Sequence, residues 1–313
     1  MLRLCLRRLA SMVPIMAIVA TLTFLLVQLV PGDPASFLLG TGATPDQVDA
    51  LQASLGLDRP VLVQYGDWLG GLFHGDLGVS LMSQQTVADA LIRALPVTLS
   101  IAVLATVFTL VLGVTLGTVG AVRGGLVDRA IMWGASFGMA VPSFWLAGVL
   151  VFAFAIRLPV LPATGYVDFT VSPGQWLSHL VLPMVAVGLA GVGPVAFQTR
   201  AGVIDQLSRD YVRTLAAHGL SRRRIVYGHV LRNAGGPVVT VVSLGFVFAL
   251  GGVMVIEAIF NLPGVGTLML SSIRQHDLPV VQGAVLAFSL VIVAVNLLTD
   301  VVAAALNPRI RLS

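Results

Sequence analysis

Six apolar runs, each at least 18 residues long, are the feature that most constrains this sequence. They cover residues 9–30, 97–122, 130–156, 180–197, 237–256 and 280–306, and the fourth is short and interrupted by proline and glycine. A helix of this length crosses the hydrocarbon core of a bilayer. Only 10% of the residues are charged, against about 25% in soluble domains. The sequence therefore predicts an all-α integral membrane protein with about six transmembrane helices.

The arginines are unevenly distributed between the segments that connect these runs. With the N-terminus inside, 14 of the 18 arginines lie in inside segments and 4 lie outside. Arginine is enriched on the cytoplasmic side of membrane proteins, so both termini are expected in the cytoplasm. The first run exceeds the apolar core of a signal peptide, and Pro-Gly-Asp-Pro follows it instead of a small-residue cleavage site. It is interpreted as an uncleaved first span.

The chain contains no lysine, which restricts the chemistry it can perform. A phosphate-binding P-loop needs a lysine to reach the nucleotide phosphates, so any ATP and magnesium must be bound by partner subunits. The single cysteine, Cys5, forms no disulfide within the chain, and the five histidines have no metal-ligand spacing. We expect a non-catalytic chain without a cofactor or structural metal.

Three parts are predicted along the chain. Residues 1–30 are a short tail and the first transmembrane helix, 31–96 are an external segment, and 97–313 are a five-helix core with a cytoplasmic loop at 198–236. In the external segment, 46–55 is predicted as a helix capped by Thr44 with Pro45 first, and glycines mark turns elsewhere. This segment is either a packed cap or a docking surface for an external partner, and the two are compatible.

The cytoplasmic loop has the pattern of a helix, a glycine and a second helix. A helix is predicted over 204–218, with Gly219 as its left-handed stop and Ser221 as the N-cap of the next. The residues expected on one face of the first helix are Leu207, Tyr211, Thr214, Leu215 and His218. A short rigid hairpin of this kind, at 206–233, can convey the movement of a docked motor subunit to the membrane helices.

The second helix of the loop begins with three arginines, 222–224, whose charge opposes the helix dipole. Three explanations remain open: the positive-inside bias, the anionic lipid surface and an acidic partner protein.

This loop resembles the ATPase-coupling loop of ABC-importer permeases of the dipeptide, oligopeptide and nickel family. The resemblance lies in YVRTLAAHGLSRRR at 211–224 and HVLRNA at 229–234. The general Glu-Ala-Ala motif is replaced by Arg213, Thr214 and Leu215, and the peptide branch characteristically lacks the Glu. The resemblance implies a type I ABC-importer fold and ATPase coupling through Leu207, Tyr211, Arg213, Thr214, Leu215, Ala216, Ala217, His218, Gly219, Leu220, Arg222 and Arg223.

Further motifs extend the resemblance along nearly the whole chain. They are LVPGDP at 29–34, LGLDRP at 55–60, GDLG at 75–78, EAIFNLPGVG at 257–266 and NPRIR at 307–311, which has Asn for the usual Asp. The long first external loop resembles that of the first of the two non-identical permeases. The resemblance implies a second homologous permease, two ATPase subunits or one fused double ATPase, and an external solute-binding protein as partners, without nucleic acid.

A smaller set of residues is predicted to line the translocation path or an external gate: Glu257, Phe260, Asn261, Pro263, Gly264, Gln28 and Asn296. Glu257 is the only glutamate, and a structural role that fixes the following loop is favoured over a functional one. The polar groups Gln28, Asn296 and Ser243 bond between helices more often than they line a path. The segment 261–279 is interpreted as a scoop that dips back from the external side.

The predicted function is thus the permease subunit of an ATP-driven importer, with di- or oligopeptides as the favoured substrate and nickel chelates and glutathione as other family substrates. An ion-coupled secondary transporter is the alternative, but that mechanism favours intramembrane carboxylates, of which the chain has few. A membrane scaffold is a third possibility.

Overall fold

The computed structural model describes residues 2–29, 32–40 and 42–306, and within these ranges the regular structure is helical apart from one isolated antiparallel bridge between Val79 and Thr86. Val30, Pro31 and the motif at 307–311 lie outside the described residues. The α-helices are α1 (Leu2–Gln28), α2 (Pro34–Leu39), α3 (Pro45–Leu55), α4 (Val61–Phe73), α5 (Val87–Arg123), α6 (Gly125–Ala140), α7 (Ser143–Leu150), α8 (Pro173–Leu207), α9 (Asp210–Ala217), α10 (Arg222–Ile225), α11 (Leu231–Phe260), α12 (Val265–Arg274) and α13 (Leu278–Leu306). Two π-helical segments, Val151–Arg157 and Val226–Val230, extend α7 and connect α10 to α11.

Four helical stretches in the described part of the chain are long and apolar enough to cross a membrane. They are Val87–Arg123, Pro173–Leu207, Arg222–Phe260 and Leu278–Val302. A bent pair of helices is a fifth candidate if its two parts count as one span, and Met12–Gln28 is a shorter apolar helix. The prediction of an all-helical membrane protein is confirmed. Each of the six predicted runs overlaps one of these helices, of which four or five qualify as candidate spans by length and composition.

The third predicted span, 130–156, is bent where the sequence suggested one straight helix. Its two parts, Gly125–Ala140 and Ser143–Arg157, meet at an angle of 99°. Pro142 has no amide hydrogen and holds the preceding Val141 in an extended conformation, so the first helix ends there.

The fourth predicted span is wrong in length. Residues 180–197 form the middle of α8, which runs unbroken for 35 residues through Pro183 and Pro194. Its glycines are packing positions: a Cβ at Gly188 would lie 2.8 Å from the carbonyl oxygen of Ala105 on α5. The Thr109 hydroxyl of α5 donates to the Gly188 carbonyl at 2.7 Å, so a neighbouring helix bonds to this part of the α8 backbone.

The contact between α5 and α8 continues at a pair of glycines on α5. A Cβ at Gly113 would lie 2.7 Å from the Val195 side chain, and one at Gly117 would lie 2.5 Å from the Ala196 carbonyl oxygen. These two glycines therefore allow α5 and α8 to pack closely within the chain.

The chain forms two compact units. The body of the first is Thr98–Leu262, and the second consists of Leu6–Val97 with Pro263–Val293. The three-part division predicted from the sequence remains a prediction.

The predicted external segment is more helical than expected. The helix α3 begins at Pro45, and the Gln47 side chain accepts a hydrogen bond from the Thr44 amide at 3.0 Å. The predicted turns at Gly66, Gly70 and Gly71 are wrong, because all three lie inside α4. An aromatic cluster compensates for their poor helix propensity: Phe24 of α1 contacts Tyr65 and Trp68 of α4.

The scoop predicted at 261–279 contains a helix. After Asn261, which has a left-handed backbone (φ +50°), the chain forms α12 and then turns at Asp277 into α13. The buried Asp277 carboxylate accepts hydrogen bonds from the Ser80 hydroxyl at 2.5 Å and from the Leu81 amide at 3.1 Å. These bonds, within the second unit, fix the start of α13.

Candidate functional site: a helical hairpin and an interhelical cavity

The predicted coupling loop forms a hairpin of short helices, but its first helix begins later than expected. Residues 204–207 belong to α8, which ends at Leu207, and α9 starts only at Asp210. The extended backbone of Arg209, φ −74° and ψ 147°, makes the break. The predicted helix 204–218 is therefore wrong at its N-terminal end, because apolar periodicity continued across a change of helix direction.

The C-terminal end of α9 is closed as predicted by Gly219, whose φ is +81°. The Leu220 amide donates to the Leu215 carbonyl at 3.2 Å, and the Gly219 amide donates to the Ala216 carbonyl at 3.0 Å. This pair of bonds is a Schellman motif, which satisfies the last carbonyls of a helix and sets the direction of the chain beyond it.

A small hydrophobic core holds the hairpin to the ends of the membrane helices. Its buried members are Val203 of α8, Ile225 of α10, Val230 and Ala234. The partly buried side chains that pack against it are Ala121, Val122, Leu207, Val212, Leu215, Leu220 and Leu231. The hairpin therefore shares one hydrophobic core with the ends of α5, α8 and α11.

The structure divides the predicted coupling residues between two faces of the hairpin. Leu207, Leu215 and Leu220 belong to the core just described, and Tyr211 is half-buried, with its hydroxyl donating to Gln206 at 3.0 Å. The exposed residues are Arg213, Thr214, Ala216, Ala217, His218, Gly219, Arg222 and Arg223. The expectation that Thr214 and His218 share a face with Leu215 is wrong, since only Leu215 points inward.

The second helix of the hairpin begins as the sequence predicts and then continues into the membrane. Ser221 caps it, accepting a hydrogen bond from the Arg224 amide at 3.4 Å. From Arg222 the chain is helical without interruption to Phe260, through a π-helical segment and Pro237. The helix that contains the predicted fifth span therefore begins at Arg222, before the predicted residue 237, and α10 is continuous with α11.

An ion pair that the sequence did not reveal lies beside this hairpin. Arg200 of α8 forms a bidentate pair with Asp128 in the first turn of α6, with both nitrogen–oxygen distances at 2.5 Å. The exposed fractions of the two side chains are 34% and 14%. The residues are 72 positions apart, so no local pattern pairs them, and only the contact between α6 and α8 does.

A cavity of about 430 Å³ lies among α5, α7, α8 and α11 in the first unit. Its wall is mostly apolar, with Thr106, Thr109 and Ser143 as its hydroxyl groups. Lining residues include Gly188, Gly191, Pro194, Gly245, Phe246, Phe248 and Gly252. This volume lies within the range of small-molecule sites, and the wall carries no charged side chain.

The predicted path residues lie elsewhere. Glu257 is fully buried, and its carboxylate accepts a hydrogen bond from Thr98 at 2.6 Å. Its carbonyl accepts from the Leu262 amide at 2.9 Å, and the carbonyl of the buried Phe260 accepts from the Gly165 amide at 3.0 Å. The backbone bonds hold the chain after α11, while the Glu257 side chain is bonded to Thr98, so its predicted place in the path or gate stays a prediction.

The remaining path candidates differ in exposure. Asn261, Pro263, Gln28 and Asn296 are exposed, and Gly264 is buried. Gln28 donates to the Gln64 side chain at 3.3 Å within the second unit. Ser243, noted in the sequence for its position in a span, accepts a hydrogen bond from Thr299 at 2.7 Å and thus joins α11 to α13.

Comparison with known proteins decides the family. Residues 109–312 match the model described as the binding-protein-dependent transport system inner membrane component, and residues 1–102 match the N-terminal model of such membrane components. The chain belongs to this family of ABC-importer permeases. It therefore has the type I ABC-importer permease fold and is a multi-pass inner-membrane protein.

Relatives of this permease match it from end to end. A Brucella abortus (strain 2308) protein named as a peptide transport system permease is 43% identical over 309 residues, covering 98% of each chain. A peptide ABC transporter permease protein of Sinorhizobium fredii is 37% identical over 307 residues, again 98% of each. The glutathione transport system permease protein of Escherichia coli (strain K12) is 38% identical over 312 residues, 99% of each.

Membership of this family implies, in general terms, partner ATPases and a substrate-binding protein for the permease. Nothing in its relatives favours the ion-coupled alternative. Within the described part of the chain, no three His, Cys, Asp or Glu side chains are placed to hold a metal ion.

Proposed function

We propose that this permease imports di- or oligopeptides and forms the translocation path with a second, homologous permease. It is the first of the two permeases, the one with an extended first external loop. The external solute-binding protein delivers the substrate. Relatives named for peptide transport and for glutathione, itself a small peptide, support this substrate class.

The exposed face of α9 is proposed as the docking surface for the ATPase. The observation that carries this proposal is the two-sidedness of the helix: Arg213, Ala216 and Ala217 point outward, while Leu215 is held in a core shared with the membrane helices. A rigid element with one free face and one anchored face transmits a push instead of absorbing it. The hairpin at 198–236 is thus proposed as the link between nucleotide chemistry and transport.

Two ATPase subunits, or one fused double ATPase, bind ATP and magnesium in this scheme. ATP binding closes the ATPase pair and pushes the coupling hairpins, which turns the cavity outward to receive substrate. Hydrolysis and product release return it to the inward-facing state. The permease itself makes and breaks no covalent bond.

Both termini are proposed to be cytoplasmic, which places α9 on the side where ATP is available. The support is the excess of arginine, 14 of 18, in the segments that this orientation puts inside.

The cavity of about 430 Å³ is proposed as part of the path on this permease. Its wall offers small and apolar residues with three hydroxyl groups and no charge. A wall of this kind fits peptides whose side chains vary, with substrate selection left largely to the binding protein.

The proposal is tested by purifying the tagged permease from its native membrane in mild detergent and identifying the bound chains. We expect an ATPase with a P-loop and a second permease. The variant Ala216→Arg, on the exposed face of α9, should lose the ATPase and keep the second permease. The matched control is Ala53→Arg on the exposed face of α3, which should keep both.

A permease that purifies alone, or an Ala216→Arg variant that keeps its ATPase, would count against the docking surface. Leu215→Arg is the less informative change, because it also places a charge against the core of the hairpin. The substrate is tested separately by uptake of labelled dipeptide, oligopeptide and glutathione into vesicles with the binding protein present. Uptake of none of them would refute the peptide assignment.

A further inference from the structure

A pocket with a basic rim lies between the last turns of α5 and the beginning of α10. It encloses about 270 Å³ and is lined by Thr118, Val119, Val122, Arg123, Arg222, Arg223, Val226 and Tyr227. We propose that this pocket binds the phosphate-bearing headgroup of an anionic phospholipid from the cytoplasmic leaflet. The assignment of the pocket to the cytoplasmic side depends on the proposed orientation of the permease, but the chemistry of its lining residues does not.

Three guanidinium groups supply the charge of this pocket. Arg123, Arg222 and Arg223 are exposed, and among the described residues none of them forms an ion pair. The Arg222 guanidinium donates to the Val122 carbonyl at 3.3 Å, which holds it against the end of α5. Guanidinium groups bind phosphate oxygens in a bidentate manner, so a phosphate here would lie among the three positive charges that line the pocket.

A buried hydroxyl in the wall is an independent indication of a ligand. Thr118 is 3% exposed, and its Oγ1 has no hydrogen-bond partner in the described structure. A buried polar group without a partner costs about 1–3 kcal/mol. A phosphate oxygen in the pocket would accept a hydrogen bond from this hydroxyl.

The position of the pocket favours a lipid over other anions. It lies where two membrane-crossing helices end, and Val119, Val122 and Val226 give it an apolar wall suited to the glycerol and first acyl carbons. Tyr227, 61% exposed, stands at its mouth, and tyrosine is enriched at membrane interfaces. Basic pockets on the inner side of membrane helices bind anionic headgroups. Of the three explanations left open for these arginines, the pocket supports the lipid surface.

The experiment is native mass spectrometry of the full-length permease in detergent, titrated with phosphatidylglycerol or phosphatidylcholine. We expect phosphatidylglycerol to bind more tightly to the wild type. The double variant Arg222→Gln/Arg223→Gln should bind it on the order of 30-fold more weakly, since each arginine near an anionic lipid contributes a factor of about five. The control Arg209→Gln/Arg213→Gln removes the same charge from α9 and its N-cap, where both arginines are already paired with aspartates, and should bind phosphatidylglycerol like the wild type.

The variant Thr118→Val separates a ligand-binding role from a structural one. It keeps the shape of the side chain and removes the hydroxyl, so phosphatidylglycerol binding should weaken about 10-fold, because a hydrogen bond to a charged group is lost. The melting temperature of the delipidated protein should rise, since an unpaired buried hydroxyl is gone. A fall in melting temperature with lipid binding unchanged would overturn the role assigned to Thr118.

Other results would overturn the proposal as a whole. Equal binding of phosphatidylcholine, or equal losses in the double variant and its control, would remove the pocket's specificity. Displacement of the lipid by millimolar inorganic phosphate would assign the pocket to soluble anions, and loss of the lipid when the ATPase binds would assign it to a protein partner. Because the titration uses neither ATP nor substrate, its failure is distinguishable from failure of the importer proposal.

Discussion

The pair formed by Asp128 and Arg200 should make a measurable contribution to stability, which a double-mutant cycle can isolate. Removing one partner of a fully buried ion pair costs about 3–5 kcal/mol, because the other charge is left unpaired. Arg200 keeps 34% of its side-chain surface in contact with solvent, so water recovers part of that cost. We expect Asp128→Asn and Arg200→Gln each to lower the free energy of unfolding by about 2 kcal/mol.

The coupling energy between the two changes should be about 1–2 kcal/mol, within the range found for residues in direct contact. A charge reversal is less suitable than this cycle, because the backbone at Gly120 lies against the Asp128 carboxylate: a Cβ there would be 2.9 Å from Oδ1. An arginine at position 128 would not fit.

The assay is unfolding by SDS in mixed micelles, followed by tryptophan fluorescence. The exposed pair formed by Arg59 and Asp67, at 2.8 Å with 50% and 59% of the side chains exposed, is the matched control. Exposed pairs contribute about 0–1 kcal/mol, so Asp67→Asn should have little effect. Equal effects of Asp67→Asn and Asp128→Asn would refute the expected contribution of the ion pair. Strict additivity of Asp128→Asn and Arg200→Gln would also refute it.

Three further predictions concern a pair of glycines, Asp277 and Asp168. Gly117→Ala should destabilise the protein by about 1–3 kcal/mol, because the new Cβ would lie 2.5 Å from the Ala196 carbonyl oxygen. Gly134→Ala, whose Cβ would have no atom within 4 Å, should stabilise the protein by up to about 1 kcal/mol. SDS unfolding of both variants checks this contrast, and equal effects would contradict it. Asp277→Ala should lower the free energy of unfolding by about 3 kcal/mol in the same assay, because it leaves the Ser80 hydroxyl and the Leu81 amide without their acceptor. A loss below about 0.5 kcal/mol would contradict this prediction and would show that water replaces the carboxylate. Hydrogen bonds from the Thr170 hydroxyl and amide hold the pKa of Asp168 below its ordinary value of 3.8. The stability that the charged Asp168 carboxylate contributes is therefore present above pH 3.8 and is lost as the pH falls through the lowered pKa. Thr170→Val should flatten that loss in melting curves recorded between pH 5 and 2, and an unchanged pH profile would contradict this prediction.

The coupling hairpin shows how far sequence patterns reach. Gly219 and Ser221 were found from the sequence because helix stops and caps depend on single residues and their immediate neighbours. The start of α9 was not found, because Leu207 and Tyr211 continue an apolar period across the break at Arg209. Periodicity reports which residues are apolar and does not report a change in the direction of the helix axis.

The proline and glycine residues of α8 made the predicted helix too short, because they were interpreted as interruptions. In a soluble protein they would argue for a break, but a neighbouring membrane helix can bond to the backbone they leave open. Thr109 of α5 does so at Gly188, and Gly113 and Gly117 allow α5 to approach closely. The sequence held these residues, yet their pairing across some 80 positions was visible only in the packed helices.

Sequence alone indicated that this chain spans a membrane and which segment has the pattern of a coupling loop, because hydropathy and helix caps are properties of short stretches. The side on which its arginine-rich segments lie stays a prediction. The tertiary structure decided which of the predicted coupling residues face outward, that Glu257 is buried against Thr98, and that Asp128 meets Arg200. It also brought Thr118 and three arginines around one pocket. Each of these depends on contacts between residues far apart in sequence, and such contacts are fixed by helix packing and not by any local pattern.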